Sequence, residues 1–301
     1  MSNTMMQAPR ILDGKGLSEL IKGEIADEVQ AWTSQGHRAP HLAAVLVGDD
    51  GASRTYVDHK VRSCARVGFE STLIQRPADI TQEELIDIVH GLNGDPSIDG
   101  FIVQLPLPPH LNAEAVIEAV DPAKDVDGFH PLHMGNLALG MTGFIPATPA
   151  GIMTLIERSG IETEGKHAVV IGRSSIVGTP MSLLLSRSGT PGNCTVTLCH
   201  SRTKNLEAHC READILVAAV GRPGMIGANM VKEGAVVIDV GITRVEDESA
   251  KRGYRLKGDV DYESVAPKCS WITPVPGGVG PMTIVSLLRN TLTAAQTQLQ
   301  S

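Results

Sequence analysis

Ser53, Tyr56 and Lys60 stand at spacings i, i+3 and i+7 in a helix-compatible segment, so a hydroxyl, a phenol and an amine stack along one helical face. Such a face carries groups able to give and take protons. Further along, Gln104 opens Gln-Leu-Pro-Leu-Pro after an apolar run, where the prolines stop a strand and leave the amide at the carboxyl edge of a sheet. Lys124-Asp125-Val126-Asp127-Gly128 then sets two acids around a turn. By spacing alone the same residues also suit an exposed helical pair, an ordinary strand end and a turn carboxylate, and these readings stay open at this point.

A second chemical feature is Val169 to Pro180, VVIGRSSIVGTP. An apolar strand breaks at Gly172 and restarts as a helix after Gly178, a phosphate-binding strand-turn-helix whose free N–H groups and dipole suit an anion. Ser174 occupies the place of the second glycine in G-x-G-x-x-G, so the motif is a variant. An NAD site places an acidic residue at the end of the second strand, for the ribose 2′-hydroxyl. Here that strand ends in His200-Ser201-Arg202-Thr203, without a carboxylate. Ser201, Arg202 and Arg173 suit a 2′-phosphate instead, which favours NADP. Arg202 capping a solvated loop is the plain alternative.

The elements that must position these residues can be read from periodicity. Leu17, Leu20, Ile21, Ile25, Val29 and Trp32 give an amphipathic first helix ending near Gly36. Then come a strand at Leu42 to Val47, a helix from Ser53 to Arg66 closed by Gly68, and a short strand from Ser71 to Gln75. A helix capped by Thr81 and Glu84 follows, and a strand from Gly100 to Leu105. A Pro- and Gly-punctuated stretch, Pro106 to Pro149, links this unit to strands at His167 to Ile171, Thr195 to Leu198, Asp214 to Val220 and Ala235 to Val240. After Pro276-Gly277-Gly278-Val279-Gly280-Pro281 a long helix runs from about Met282 to Gln298. Alternating strands and helices predict parallel sheets, with ligands at the strands' carboxyl ends. No internal repeat is visible.

At 301 residues the chain exceeds one usual core, so two domains are expected. A net charge of −8 and a pI near 5.7 argue against nucleic acid as the main partner. No apolar stretch approaches membrane length, and Met1 to Arg10 lacks a signal-peptide pattern, so a cytoplasmic protein without a membrane partner is expected. The five cysteines include no C-x-x-C, which fits reduced thiols and leaves no zinc pattern; no metal is expected.

The motifs Tyr56-Val57-x-x-Lys60, Val103-Gln104-Leu105-Pro106-Leu107-Pro108, Lys124-Asp125-Val126-Asp127-Gly128-Phe129, Gly172-Arg173-Ser174-x-x-Val177-Gly178-x-Pro180 and Pro276-Gly277-Gly278-Val279-Gly280-Pro281-Met282-Thr283, in this order, resemble the bifunctional methylenetetrahydrofolate dehydrogenase/cyclohydrolase family. The resemblance spans Ile11 to Thr293. It implies two α/β domains around a cleft, the second a Rossmann-like NADP-binding domain, with the C-terminal helix packing back on the first and a homodimer formed through the nucleotide domains. The expected partition is 1–146 plus 281–301 for the folate-binding catalytic domain and 147–280 for the NADP domain. No P-loop follows, so the formate-activating domain of some longer relatives is not expected.

The implied activity is NADP-dependent oxidation of 5,10-methylenetetrahydrofolate to the methenyl cation, then hydrolysis to 10-formyltetrahydrofolate. By the resemblance, Lys60 is the central catalytic group and Gln104 orients it. A lysine acts as a base near neutrality in its neutral form, which a desolvated setting favours. Tyr56 stacks on the folate rings, Asp127 accepts hydrogen bonds from the pterin amine and ring N–H, and Ser53 supports the site. Gly277 and Gly278 bring backbone close to the ligand. Gly172, Arg173, Ser174, Ser201, Arg202 and Ile242 serve the cofactor, Ile242 on the nicotinamide side. Two departures stand out: Ala147-Thr148-Pro149 replaces the Cys-Thr-Pro of many relatives, and the Ser188 to Asn193 loop is longer than usual. The alternatives are a shikimate- or amino-acid-type dehydrogenase, which needs an Asp partner for its lysine, and a non-catalytic folate- or nucleotide-binding module.

Overall fold

The computed structural model describes residues 9–250 and 253–298. Most of the Met1 to Arg10 segment and the polar tail at 299–301 thus lie outside the described residues. Strand β1 (Arg10–Ile11) precedes helix α1 (Gly14–Ser34), which buries Ile21, Ile25 and Val29 at a four-residue repeat. Leu20, expected in that stripe, lies one residue off it and is 67% exposed. Strand β2 (His41–Val47) is a continuous buried run, as a strand covered on both faces must be. Helix α2 (Gly51–Val67) starts where Asp50 accepts a hydrogen bond from the Ser53 N–H at 2.7 Å, and stops at Gly68, left-handed with φ 81°.

Strand β3 (Glu70–Arg76), helix α3 (Gln82–Gly94) and strand β4 (Gly100–Val103) follow, with the expected Thr81/Glu84 capping box on α3. The stretch expected as a plain link holds α4 (Ala113–Ala119), α5 (Pro131–Leu139) and the start of α6 (Ala147–Arg158). Helices α4 and α5 are too short for their period to stand out in sequence. Local caps start them: Asn112 accepts from the Ala115 N–H, and the His130 ring from the Leu132 N–H.

Next come β5 (His167–Ile171), α7 (Gly178–Ser186), β6 (Thr195–Cys199), α8 (Leu206–Arg211), β7 (Ile215–Ala218) and β8 (Val236–Asp239), close to the expected bounds. An antiparallel ribbon of β9 (Thr243–Glu246) and β10 (Tyr254–Lys257), then α9 (Tyr262–Val265), β11 (Trp271–Ile272) and α10 (Val279–Gln298), follow.

The chain divides into two α/β units: residues 18–147 with 284–298, and residues 9–17 with 148–283. The first holds the parallel sheet β3-β2-β4, and the second the parallel sheet β1-β11-β8-β7-β5-β6. Residues 9–17 were expected with the first unit; parallel pairing of β1 with β11, Arg10 opposite Trp271, explains why they fold with the second. Within the first unit α10 is fastened by side-chain amides. Asn290 Nδ2 donates to the Val126 and Ile145 carbonyls, and Gln298 Nε2 to that of Asp99. In the second unit the chain leaves β5 for β6 on one side and returns to β7 on the other. That reversal of strand order places a switch point at the carboxyl ends of β5 and β7.

No repeat is visible in the sequence, yet both sheets repeat one register. Ala43 faces Thr72 and Leu42 faces Gly100 in the first; Val169 faces Thr197 and Ala168 faces Ile215 in the second. The same latch closes the amino end of each. His41 places Nε2 2.9 Å from Thr72 Oγ1 and Nδ1 3.1 Å from the Ser97 carbonyl, while its N–H donates to Asp99. His167 does likewise with Thr197 Oγ1 at 2.9 Å, the Glu212 carbonyl at 3.2 Å and Asp214. A carbonyl can only accept, so Nδ1 carries a proton in both rings, while the threonine hydroxyl can serve either role toward Nε2.

Candidate active site

Helix α2 brings Ser53, Tyr56 and Lys60 to one face, as the spacing predicts. Ser53 and Lys60 are buried, whereas Tyr56 keeps 38% of its surface exposed, leaving its ring available to a ligand. Gln104 continues the ladder beyond β4, its N–H donating to the Val45 carbonyl. Its amide is oriented without ambiguity: Nε2 donates to the Leu105 carbonyl at 2.6 Å, so Oε1 is left to accept from Lys60 Nζ at 3.2 Å. The amine keeps further donor capacity beyond that bond.

Asp127 arrives by a different route. Residues 124–126 lie along β4, with the Phe101 N–H donating to the Lys124 carbonyl, and a Cβ on Gly100 would lie 2.2 Å from Val126 Cγ1. Lys124 Nζ donates to the Leu92 and Asp95 carbonyls at the end of α3, so this lysine fastens the segment. Asp125 accepts from the Gly128 and His130 N–H groups, shaping the turn; burial pushes it up to about 6. Asp127 is 8% exposed, and among the described residues nothing donates to its carboxylate. Burial raises its pKa, opposed by the charge of Lys60, the nearby cation it senses. A buried carboxylate without a chain partner beside an amine is a site waiting for donors on a ligand.

The second unit supplies an anion cradle. Gly172, at φ 112°, turns the chain at the end of β5, and a Cβ there would lie 2.1 Å from the Ala219 carbonyl oxygen. Gly178 meets its own turn rather than a ligand, since a Cβ would fall 1.9 Å from the Gly172 oxygen. Ser174 also departs from expectation. Its hydroxyl accepts from the N–H groups of Val177 and Gly178, so these helix-start donors are capped internally and not free. The free donors lie earlier: among the described residues nothing accepts from the N–H groups of Arg173, Ser174 and Ser175. Register places Ile171 opposite Cys199, and the Gly172 N–H donates to the Cys199 carbonyl, so Arg173 and the Ser201-Arg202 loop leave neighbouring strand ends. Both guanidiniums are exposed and neither forms an ion pair among the described residues. These donors and charges fit the phosphates of a dinucleotide.

Ile242 follows β8 and packs on the start of α10, where a Cβ on Gly280 would lie 3.2 Å from Ile242 Cδ1. Gly277, at φ 110°, accepts from the Lys15 N–H through its carbonyl, and Gly278 has no room for a Cβ beside Thr273 and Pro274. Their own loop therefore accounts for both glycines. Sequence reasoning missed Asn290 in the C-terminal helix and two buried acids, Asp239 and Asp259. For the acids a signal existed: Asp239 ends an apolar strand and Asp259 follows a glycine.

A nucleotide turn at the switch point of one parallel sheet, with an amine, an amide and an unpartnered buried carboxylate at the carboxyl end of another, defines a two-unit nucleotide-dependent α/β enzyme. The chain belongs to the tetrahydrofolate dehydrogenase/cyclohydrolase family, whose catalytic domain matches residues 12–127 and whose NAD(P)-binding domain matches residues 146–299. The bifunctional protein FolD of Porphyromonas gingivalis is 58% identical over 287 residues, covering 95% of this chain and 97% of that protein. Among solved structures, the bifunctional methylenetetrahydrofolate dehydrogenase/cyclohydrolase of Campylobacter jejuni is 45% identical with a TM-score of 0.90, over 97% of this chain and all of that one. That of Trypanosoma brucei, complexed with NADP cofactor and inhibitor, is 37% identical with a TM-score of 0.93, over 98% of this chain and all of that one.

Proposed function

We propose that this protein oxidises 5,10-methylenetetrahydrofolate with NADP and hydrolyses the methenyl product to 10-formyltetrahydrofolate. The observation that carries the reading is the Lys60–Gln104 pair, buried and oriented, with the unpartnered Asp127 carboxylate in its field. When bound, the nicotinamide accepts the hydride of the one-carbon bridge. All else falls to the chain's residues. Asp127 accepts from the pterin's donors and fixes the ring, while Tyr56 covers it and Ser53 supports the helix face. Hydrolysis adds water to the methenyl carbon and releases one proton, and Lys60 is the group placed to handle that proton. Gln104, locked by Leu105, sets where the Lys60 nitrogen points.

Arg173, Ser201 and Arg202 hold the 2′-phosphate, and the N–H groups after Gly172 hold the pyrophosphate. The structure of the Trypanosoma brucei relative with NADP supports this cofactor. The proposal includes a homodimer formed through the nucleotide units and a cytoplasmic setting. The β9–β10 ribbon, which has no third strand among the described residues, supports the first, since two-stranded ribbons gain stability from a covering partner. Five free thiols support the second.

The test is an absorbance assay with methylenetetrahydrofolate and NADP, followed by methenyl hydrolysis, on wild type and Lys60→Met. Wild type performs both steps. The variant loses on the order of a hundredfold or more in hydrolysis, as for a removed acid–base group, while still binding NADP. Near-normal hydrolysis by folded Lys60→Met removes Lys60 from its role.

A further inference from the structure

The loop after β7 lies on the switch point, yet no helix or sheet holds it. What holds it is a carboxylate. Asp259, fully buried, accepts from the N–H groups of Val220 at 2.6 Å and Gly221 at 3.1 Å through Oδ2, and of Arg222 at 2.7 Å through Oδ1. Behind it stands Asp239, 3% exposed, at the end of β8. Asp239 accepts from the N–H groups of Asp259 at 2.9 Å, Val260 at 2.9 Å and Gly241 at 3.1 Å. Neither acid has a cationic partner among the described residues, so backbone donors alone satisfy two buried carboxylates.

The geometry leaves no slack. A Cβ on Gly258 would lie 1.9 Å from Asp239 Oδ2, and one on Gly241 would lie 2.3 Å from Asp259 Oδ1, so glycines are required where the two acids meet the chain. The clasped loop abuts the phosphate turn, because the missing Cβ of Gly172 points at the Ala219 oxygen. On its far side the clasp reaches Gly241, the residue before Ile242. Thr273 Oγ1 accepts from the Asp239 N–H at 2.7 Å and joins it to the strand leading into Gly277-Gly278. One pair of acids thus shapes three loops at the carboxyl edge of this sheet.

We propose that Asp259, backed by Asp239, is the positioning residue of the cofactor half, moulding residues 220–222 into a wall of the dinucleotide site. The proposal rests on the NADP reading above and adds to it a residue that touches neither ligand. Asp259→Asn tests it: an amide presents a donor where one carboxylate oxygen accepts, so at least one loop N–H meets a like group. The KM for NADP should rise roughly tenfold or more, while methenyl hydrolysis, which needs no cofactor, stays near wild type. An unchanged KM, or both activities falling together in a folded variant, overturns the proposal.

A second measurement needs no variant. In wild type, amide exchange across residues 219–223 should slow on adding NADP and stay unchanged on adding a folate analogue; exchange indifferent to NADP overturns the proposal. Should wild type fail to turn over folate, the function reading alone falls, and exchange with NADP still decides the role of Asp259.

Discussion

Asp127 shows how burial tunes a single residue. Desolvation penalises its charged form and Lys60 restores part of it, so the net direction is upward from the ordinary carboxylate value. As pH falls from neutrality, Asp127 therefore takes up its proton before a surface carboxylate does. One oxygen then becomes a donor and cannot receive the pterin's N–H groups. Folate affinity should decline with an apparent midpoint above the surface-carboxylate range, and Asp127→Asn should abolish that pH dependence while weakening binding by about 1.5–3 kcal/mol, or roughly ten- to a hundredfold. Calorimetric titration of a folate analogue across pH checks both; a variant with wild-type affinity takes Asp127 out of the site. Lys60, Gln104 and Asp127 were legible in the sequence as motifs. The locks behind them were not. Gln104 is oriented by a backbone carbonyl, and Val126, the neighbour of Asp127, is held by Asn290 from far along the chain, and neither contact leaves a local pattern.

At the scale of elements, the strands were the most readable, because parallel strands covered on both faces are continuous apolar runs with turn residues at their ends. The helices α4 and α5 were lost among prolines and glycines. The anion turn was read correctly as a turn and incorrectly in its wiring, since Ser174 spends its hydroxyl on Val177 and Gly178. What remains for a cofactor is the run of N–H groups from Arg173 to Ser175, with two exposed arginines, unpaired among the described residues, leaving adjacent strand ends. Arg173→Ala with Arg202→Ala should reduce the preference for NADP over NAD at least tenfold, since each charge-assisted contact contributes about 1.5–3 kcal/mol. The NAD reaction, with no 2′-phosphate to lose, should change little. Steady-state kinetics with both cofactors decide it: an unchanged ratio means that other groups hold the phosphate.

At the scale of the molecule, two sheets of one register were invisible in the sequence because the repeat lives in three scattered residues per unit: His41, Thr72 and Asp99, then His167, Thr197 and Asp214. Separations of tens of residues and different neighbours hide it. Each histidine ring makes two hydrogen bonds at a strand's amino end, so His41→Ala or His167→Ala should destabilise its unit by about 1–3 kcal/mol, at 0.5–1.5 per bond. Turnover and KM should hold, as the candidate ligand residues sit at the opposite ends of the strands. Thermal unfolding and steady-state assays on the same preparations check this; lost turnover with unaltered unfolding refutes it.

That separation has a consequence for how such a protein can change. The histidine latches occupy the amino rim of each sheet and the candidate ligand residues the carboxyl rim, so what the latches add to heat tolerance is adjustable independently of the choice of ligand. A lineage moving to a hotter habitat, or an engineer seeking a sturdier catalyst, can rework the histidine rim and inherit the reaction unaltered.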